Sequence, residues 1–382
     1  MKEIVESDDI EISDYDDQFE LPHNLKLEEN YLEENNFFNA TIHCLTNIRN
    51  FWLRVYKYKN NEQDNNQKSF YEFINLVSGF ISKNNKEVFN PKQFCNSILS
   101  DEKLFKIKEN HDPRVLIDCI LNYFLKEKIE NNNDNKNDNK NNNKNDNDND
   151  NKSKILNFSN EYNDLINSFS LNISNLESKD YEPYKYKIIL KKTRICSNLK
   201  CRKQLEFYKS FSTLHFNLNY NKEKTYSIYD CFKYYLDKEN EKIDYICPLC
   251  NQISKIESNS FFYYLTNPLI IFIYFGDEQK SYQDFYYKFE EIIDFSLIGF
   301  VKDNIKNKKY FLSSVIACKH PKEEEELFYT FCRKDLESPF WVYNSRDVRG
   351  DIKKVSNKII KLKDEKINEN RSFPYVLIYT EL

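Results

Sequence analysis

The chain has 382 residues and a formal net charge of −5, and 40% of its residues are apolar. This length allows one large globular unit, or two or three ordinary domains, with a sizeable core. The mild acidity excludes a basic surface that binds nucleic acid through charge, so no direct nucleic-acid partner is expected. The chain has only four glycines and lacks both G-x-G-x-x-G and Walker-type phosphate loops.

Residues 1–20 are acidic and contain no apolar signal-peptide core. Nine carboxylates lie in this stretch: Glu3, Glu6, Asp8, Asp9, Glu11, Asp14, Asp16, Asp17 and Glu20. We interpret it as a solvated, disordered arm, with a docking tail for a basic partner as the alternative. The longest apolar run, Pro268–Phe275, is too short to span a bilayer. These features predict an intracellular protein, cytoplasmic or nuclear, with no membrane partner.

Residues 131–152 contain only Asn, Asp and Lys. Such a tract cannot bury apolar surface, so a disordered insertion is predicted at 130–154. Before the tract, apolar residues recur three and four positions apart, which predicts amphipathic helices with one buried stripe each. The three stripes are Ile42, Leu45, Ile48, Trp52 and Val55; Phe70, Phe73, Ile74, Val77, Phe80 and Ile81; and, after Pro113, Val115, Leu116, Cys119, Ile120, Tyr123 and Phe124.

After the tract, segments rich in aromatic and β-branched residues predict strands. The predicted strands are Tyr184–Leu190, Phe207–Leu218, Ser260–Leu265, Leu269–Phe275, Tyr310–Ala317, Phe328–Arg333, Phe340–Tyr343 and Tyr375–Tyr379. One helix with an apolar face intervenes at Ile228–Leu236. Helices followed by a mostly antiparallel sheet predict the α+β class.

Two cysteine pairs have the spacing of metal knuckles. Cys247 and Cys250 form a C-x2-C motif, and Cys196 and Cys201 form a C-x4-C motif about fifty residues upstream. Four thiolates can close a tetrahedral zinc site that leaves no open position, so a structural zinc is predicted and a catalytic zinc is not. The alternative is four thiols without a metal.

Several segments, in chain order, resemble motifs of the ubiquitin-specific proteases. NNFFNATIHCL (35–45) is similar to the family's cysteine box and DPRVLIDCILNYF (112–124) to its D-A-x-E-F-L element. The cysteine pairs with YSIYDCFKYYL (226–236) and YICPLC (245–250) resemble the zinc-bearing fingers. LTNPLIIFIYF (265–275), YFLSSVIACKH (310–320) and YVLIYTEL (375–382) resemble strands of the palm.

The resemblance implies a papain-like fold of thumb, palm and fingers that forms an open hand around ubiquitin. The acidic arm would occupy 1–20 and the ubiquitin-specific-protease-like domain 21–382. Within that domain the resemblance implies a helical thumb at about 30–180, fingers at about 184–265 and an antiparallel palm at about 266–382.

The residues that carry catalysis in this family are replaced here. The cysteine box aligns Asn36 with the nucleophile and Tyr31 with the oxyanion-binding residue. ELFYTFCR (326–333) aligns Leu327 with the catalytic histidine. WVYNSRDV (341–348) aligns Ser345 with the orienting aspartate, or Asn344 in a shifted alignment. A carboxamide cannot form a thioester and leucine cannot accept a proton, so the triad chemistry is absent.

Three nearby residues are poor substitutes for the missing nucleophile, base and orienting acid. Cys44 lies in the same predicted helix, on a face expected to pack and not to line the cleft. His320 is the histidine nearest to the position of the missing base, and we interpret it as a solvated loop residue. Asp347 could orient a base, but no base is placed for it.

The expected function is therefore a catalytically impaired, ubiquitin-specific-protease-like module that binds ubiquitin or a ubiquitin-like protein, or that serves as a scaffold in a larger complex. By analogy with inactive relatives, that complex could act in RNA processing. Two alternatives stay open. One is an active deubiquitinase that cleaves ubiquitin isopeptide bonds with a thiol. The other is a zinc-stabilised structural protein with no role in ubiquitin binding.

Overall fold

The computed structural model describes residues 36–48, 51, 72–76, 92–101, 111–121, 187–218, 226–239, 244–247, 249–255, 257–275, 287–319, 327–333, 335–338, 340–344, 353–355 and 372–382. The predicted arm at 1–20 and the predicted insertion at 130–154 lie outside these ranges. So do Tyr31, Ser345, His320 and Asp347. The structural statements below concern the described residues.

The N-terminal half contributes helices: α1 (Asn36–Thr46), α2 (72–76), α3 (Lys92–Asp101) and α4 (113–121). The prediction of a single buried stripe is wrong for α1, which is buried on every side. Its buried hydroxyls bond back to the preceding turn, Thr41 to the Phe37 carbonyl (2.9 Å) and Thr46 to the Ile42 carbonyl (2.8 Å). Such bonds allow a partly polar helix to occupy a core.

Pro113 is the first residue of α4, as predicted, and Asp112 caps the helix. The Asp112 carboxylate accepts a hydrogen bond from the Arg114 backbone N–H at 2.9 Å. Proline at the first helical position after an acidic cap costs no intrahelical hydrogen bond, so this sequence fixes where α4 begins.

A large, mostly antiparallel sheet follows the helices. Its strands are β3 (Leu214–Leu218), β8 (Leu269–Phe275), β10 (Ile292–Asp294), β11 (Lys309–Lys319), β12 (Leu327–Cys332), β13 (Phe340–Asn344), β14 (Lys353–Val355) and β15 (Ser372–Glu381). The order is β14-β13-β12-β11-β15-β8-β3, with β10 paired to β11, and only the β3–β8 pair in this order is parallel. We call this sheet the palm.

The fingers consist of two smaller antiparallel sheets. One contains β1 (Ile188–Ile195), β2 (Gln204–Phe211) and β7 (Glu257–Tyr264), and the other pairs β5 (Asp244–Ile246) with β6 (Ile253–Lys255). The predicted strand Phe207–Leu218 is wrong as one element. The chain bends at residues 212–213, where it leaves the finger sheet at the end of β2 and enters the palm as β3.

The central strands of the palm, β8, β11 and β15, are buried on both faces. Ile270 and Phe272 of β8 face α1, α2, α3 and α4, which we call the thumb. Leu269, Ile271 and Ile273 face α5 (Ile228–Glu239) and the base of the fingers. A strand covered on both sides needs apolar residues at every position, which explains the continuous run LIIFIYF. The remaining short elements are β4 (Tyr226–Ser227), paired with β9 (Tyr287–Lys288), and α6 (Asp303–Lys306). The architecture is α+β.

Within the described residues, no helix combines the length and the hydropathy that crossing a membrane requires.

Candidate functional site

The four cysteines predicted as metal ligands lie together at the tip of the fingers. All four Sγ atoms are within 4.8 Å of one another. The Sγ–Sγ distances are 3.8 Å for Cys196 and Cys250 and 3.9 Å for Cys201 and Cys247. Zinc–sulfur bonds of about 2.3 Å arranged tetrahedrally give sulfur–sulfur edges of about 3.8 Å. The donor set and its spacing fit a zinc ion.

The two knuckles close in the same way despite their different spacing. The residue that follows the second cysteine is left-handed in each, with φ 41° at Arg202 and φ 55° at Asn251. In the C-x2-C knuckle the Asn251 N–H bonds to the Cys247 carbonyl (2.7 Å), and in the C-x4-C knuckle the Arg202 N–H bonds to the Asn198 carbonyl (2.9 Å). Asn198 thus occupies the turn position that corresponds to Cys247.

The first ligand of the longer knuckle, Cys196, comes two residues before this turn, at the end of β1. Its backbone N–H bonds to the Lys203 carbonyl at 3.1 Å, which closes the hairpin. The Asn198 side chain is directed at the second knuckle, where its Nδ2 lies 3.8 Å from the Cys250 Sγ and also donates to Gln252. Donors around metal-bound sulfur orient the ligands, so Asn198 is a supporting residue that spacing alone did not identify.

The electrostatics of this cluster favour a cation. The backbone N–H of Lys203 lowers the pKa of the Cys201 thiol, but desolvation and the three neighbouring sulfurs outweigh that effect and raise the pKa to about 11. Four thiols this close cannot all ionise without a positive charge between them. A divalent ion reverses that balance, because coordinated thiols are deprotonated. A site closed by four sulfurs has a structural role.

The positions aligned with the catalytic residues lie at the opposite side of the palm from α5. Helix α1 runs alongside β12 in the same direction, through hydrogen bonds from Thr330 to the Ala40 carbonyl (3.0 Å), from Cys332 to the His43 carbonyl (3.8 Å) and from Asn47 to the Arg333 carbonyl (3.0 Å). Asn36 is the first residue of α1 and Leu327 the first residue of β12. Both therefore lie at the same end of this layer.

The third aligned segment reaches that end from the neighbouring strand. β13 is antiparallel to β12 with Asn344 opposite Tyr329, two residues from Leu327. The backbone thus brings Asn36, Leu327 and Asn344 to one end of the α1, β12 and β13 layer, while Ser345 and Tyr31 lie outside the described residues.

The thiol and the imidazole inside α1 are buried away from this end. Cys44 is fully buried, and desolvation and Cys332 raise its pKa while a hydrogen bond from Ser314 lowers it. Desolvation lowers the pKa of His43 to about 3. A buried, protonated thiol and a neutral, buried histidine are unsuited to nucleophilic catalysis, which needs an accessible thiolate and a base.

An arginine near the same end connects the thumb to the palm, and the sequence did not single it out. Arg114 forms an ion pair with Asp112. Its guanidinium lies over the rings of Tyr274 (3.9 Å) and Tyr375 (4.5 Å), and the Tyr375 ring packs against Phe328 at 5.4 Å. The local signal, an arginine two residues after an acidic cap, is too common to predict such an arrangement.

A short polar relay continues from α4 to the edge of the palm. The Thr213 hydroxyl lies 3.2 Å from the Asp118 carboxylate and 2.9 Å from Nε2 of His215. Burial raises the pKa of Asp118 to about 6, and burial together with Arg114 lowers the pKa of His215. These shifts follow from a polar cluster that is partly buried between α4 and the edge of the palm, with Thr213 buried, Asp118 half-buried and His215 exposed.

Solved structures show what this fold resembles. The chain is similar to a ubiquitin-specific protease chain, Ubp8, in the SAGA DUB module with Sgf11, Sus1 and Sgf73 bound to monoubiquitin. The TM-score is 0.57 at 12% sequence identity, over 95% of this chain and 71% of that one. The fold is thus similar to that of a ubiquitin-specific protease. No family model matches the sequence, and no curated protein matches it significantly.

Proposed function

We propose that this chain is a catalytically inactive protein with a ubiquitin-specific-protease fold, which binds ubiquitin or a ubiquitin-like protein as part of a larger complex. The proposal rests mainly on which residues lie at the end of the layer formed by α1, β12 and β13. The backbone brings Asn36 and Leu327 to the same end of this layer, which supports the proposal because the resemblance aligns these two residues with the nucleophile and the base of a thiol protease.

Inactivity is supported by where the nearby thiol lies. Cys44 is fully buried against Ser314 and Cys332, so it would need a large rearrangement of α1 to meet a substrate. His43 is equally unsuited, because its low pKa keeps it neutral in the core. Since Thr330 and Asn47 fix α1 to the palm by hydrogen bonds, such a rearrangement would break the packing of the thumb.

Ubiquitin is the partner that the fold favours. The similar structure is that of a ubiquitin-specific protease bound to monoubiquitin within a module of several subunits. A protein with this fold that lacks the catalytic residues can still bind a partner through its surface, since affinity and catalysis use different groups. The fold comparison gives no support to an RNA-processing complex as the setting.

The test uses two forms of ubiquitin on the full chain. Ubiquitin with a C-terminal electrophile should give no covalent adduct, and unmodified ubiquitin should bind with a measurable affinity by calorimetry. Covalent capture that disappears in Cys44→Ala would show an active deubiquitinase and overturn the proposal. Cys119→Ala is the matched control, because Cys119 lies on α4, outside the predicted catalytic boxes. Absence of ubiquitin binding would leave a zinc-stabilised structural protein and refute the ubiquitin role.

A further inference from the structure

The tip of the fingers carries an exposed surface that the zinc site does not require. Two leucines project there, Leu199 from the first knuckle and Leu249 from the second, with 79% and 51% of their surface exposed. Three exposed cations, Lys200, Arg202 and Lys203, lie beside the first leucine. We call these five residues the knuckle platform.

The cations of the knuckle platform have no acidic partner among the described residues. None of Lys200, Arg202 and Lys203 forms a salt bridge there. Glu206, the carboxylate further along β2, pairs with Lys191 at 2.7 Å instead. Exposed leucines next to unpaired cations form a surface suited to a ligand that is both acidic and apolar.

The platform is also held in shape. The Asn198 side chain donates to Gln252 across the two knuckles, and the four sulfurs lie within 4.8 Å. Leu199 and Leu249 each lie between the two cysteines of a knuckle, so they extend from one rigid base. A preordered surface loses little entropy on binding a flexible segment.

We propose that the acidic arm, residues 1–20, docks on the knuckle platform of the same chain. The arm has nine carboxylates, and apolar residues are spaced among them: Ile4, Val5, Ile10, Ile12, Tyr15 and Phe19. Its charge is opposite to that of the three unpaired cations, and its apolar side chains match the two exposed leucines. Docking of the arm does not depend on whether the protein binds ubiquitin.

The tether is long enough for this contact. The segment from Glu20 to Asn36, where α1 begins, can extend to about 50 Å, and the arm adds up to about 65 Å. The knuckle lies beyond β1, which is about 26 Å long at roughly 3.3 Å per residue, and the tether must also pass the palm, whose packed layers lie about 10 Å apart. A tethered segment acts at a local concentration on the order of millimolar, so weak contacts suffice.

Other occupants fit the platform less well. A second copy would place three cations against three cations, which repels. Nucleic acid would require a longer basic surface than three residues on a chain of net charge −5. The acidic arm satisfies the charge and the apolar requirement together.

Zero-length carbodiimide crosslinking of the full chain, followed by mass spectrometry, tests the contact. We expect amide links from Lys200 or Lys203 to carboxylates of residues 1–20. The Lys308–Glu381 pair, 2.6 Å apart, is the internal control for reactivity and fold. Raising the salt from about 0.05 M to about 0.5 M should reduce the arm links at least fivefold, because exposed ion pairs are screened.

Charge reversal separates docking from chance proximity. Arg202→Glu, which leaves both linkable lysines in place, should reduce the arm links of Lys200 and Lys203 about threefold. The variant Lys200→Glu/Arg202→Glu/Lys203→Glu loses those links because it removes the amines themselves, so it is combined with Asp8→Lys/Asp9→Lys/Glu11→Lys, which should restore links between the two segments. Lys233→Glu, at an exposed position on α5, is the matched control and should change nothing. Leu199→Ser should reduce the links about twofold or more by removing apolar contact.

Two results would overturn the proposal. One is that arm carboxylates link to lysines across the molecule and that this pattern survives the triple reversal. The other is that a mixture of isotope-labelled and unlabelled chains shows the links only between chains.

Discussion

The finger tip and the catalytic-position end of the palm are both assembled from distant parts of the sequence, but only the finger tip has a complete set of donors. Four cysteines meet there within 4.8 Å. At the other end lie Asn36 and Leu327, the first residues of α1 and β12, which we propose to stand in place of the cysteine and the histidine of a thiol protease. The difference lies in what each region contributes to folding.

The second knuckle, which carries Cys247 and Cys250, has little besides the cysteine cluster to hold it in place. The strands β5 and β6 have three residues each, so they bury little apolar surface and depend on a cross-link or a metal. The catalytic-position end is different, because Phe37 and Phe328 beside it are buried in the main core. A fold can lose reactive groups at such an end without losing the packing that stabilises it, whereas loss of a knuckle ligand removes the stabilising element itself.

Removal of a zinc ligand should have the largest effect. Cys247→Ser should abolish stoichiometric zinc, because three sulfurs bind far more weakly than four, and should lower the free energy of unfolding by several kcal/mol, given the roughly 10 kcal/mol that structural zinc sites supply. Metal analysis and thermal unfolding measure the two effects. Cys119→Ser, which is outside the cluster, should retain one zinc per chain. A wild-type chain without zinc would refute the role that we assign to the fingers.

Breaking the contact between thumb and palm should have the next largest effect. Arg114→Met removes the ion pair with Asp112 and two cation–π contacts. Since the guanidinium is mostly buried, we expect a loss of about 2–4 kcal/mol in the free energy of unfolding, measured by denaturant titration.

The matched control for Arg114 is an exposed ion pair. Lys306→Met removes a 2.8 Å pair with Asp303, which should leave the free energy of unfolding almost unchanged because both groups are solvated. Equal losses in the two variants would show that Arg114 does not hold the thumb to the palm.

The partly buried carboxylate of Asp118 should make the free energy of unfolding depend on pH by about 1 kcal/mol. The folded pKa of Asp118 is about 6, above the ordinary 3.8, because burial disfavours the carboxylate. Its contribution to stability is therefore complete below about pH 3.8 and is lost as the pH rises through about 6. The effect on the free energy of unfolding stays near about 1 kcal/mol because Asp118 is only partly buried and solvent screens its charge.

Asp118→Asn isolates this contribution, because the amide can still accept the Thr213 hydrogen bond. The variant should be more stable than the wild type by about 1 kcal/mol at about pH 8, with the difference vanishing near pH 4. Nearby His215 and Arg114 remain in both proteins, so the difference reports Asp118. Asp303→Asn removes an exposed carboxylate, and its stability difference from the wild type should not change between about pH 4 and about pH 8. A constant difference between the two proteins at every pH would contradict the pKa.

The elements whose environment is uniform along the chain could be predicted from the sequence. The strand Leu269–Phe275 was predicted with its observed ends because both of its faces are buried. The cysteine pairs were predicted because the two ligands of each knuckle are close in sequence. The break at residues 212–213 was missed, since residues on both sides favour strands and only the departure of β3 to another sheet separates them.

Interactions between distant residues could not be predicted in this way. Arg114 acquires its role from Tyr274 and Tyr375, which lie more than a hundred residues further along the chain. Asn198 supports the four-cysteine cluster only because Cys250 and Gln252 lie across from it. Periodicity and spacing describe neighbours in sequence, whereas these contacts depend on how the sheets meet.

The smallest effect would test whether the catalytic-position end is placed correctly. In Asn36→Cys the new thiol would lie at the first residue of α1, where the helix dipole stabilises a thiolate by about 0.3–1 kcal/mol. Alkylation by iodoacetamide should therefore be up to about fivefold faster than for an exposed reference thiol introduced by Lys233→Cys on α5. The electrophilic ubiquitin probe should label Asn36→Cys and leave Lys233→Cys unlabelled, because only the former thiol would face the C-terminal tail of bound ubiquitin. If the chain binds ubiquitin but the probe labels neither variant, the C-terminal tail of ubiquitin does not reach the start of α1. The assignment of Asn36 to the nucleophile position would then be wrong.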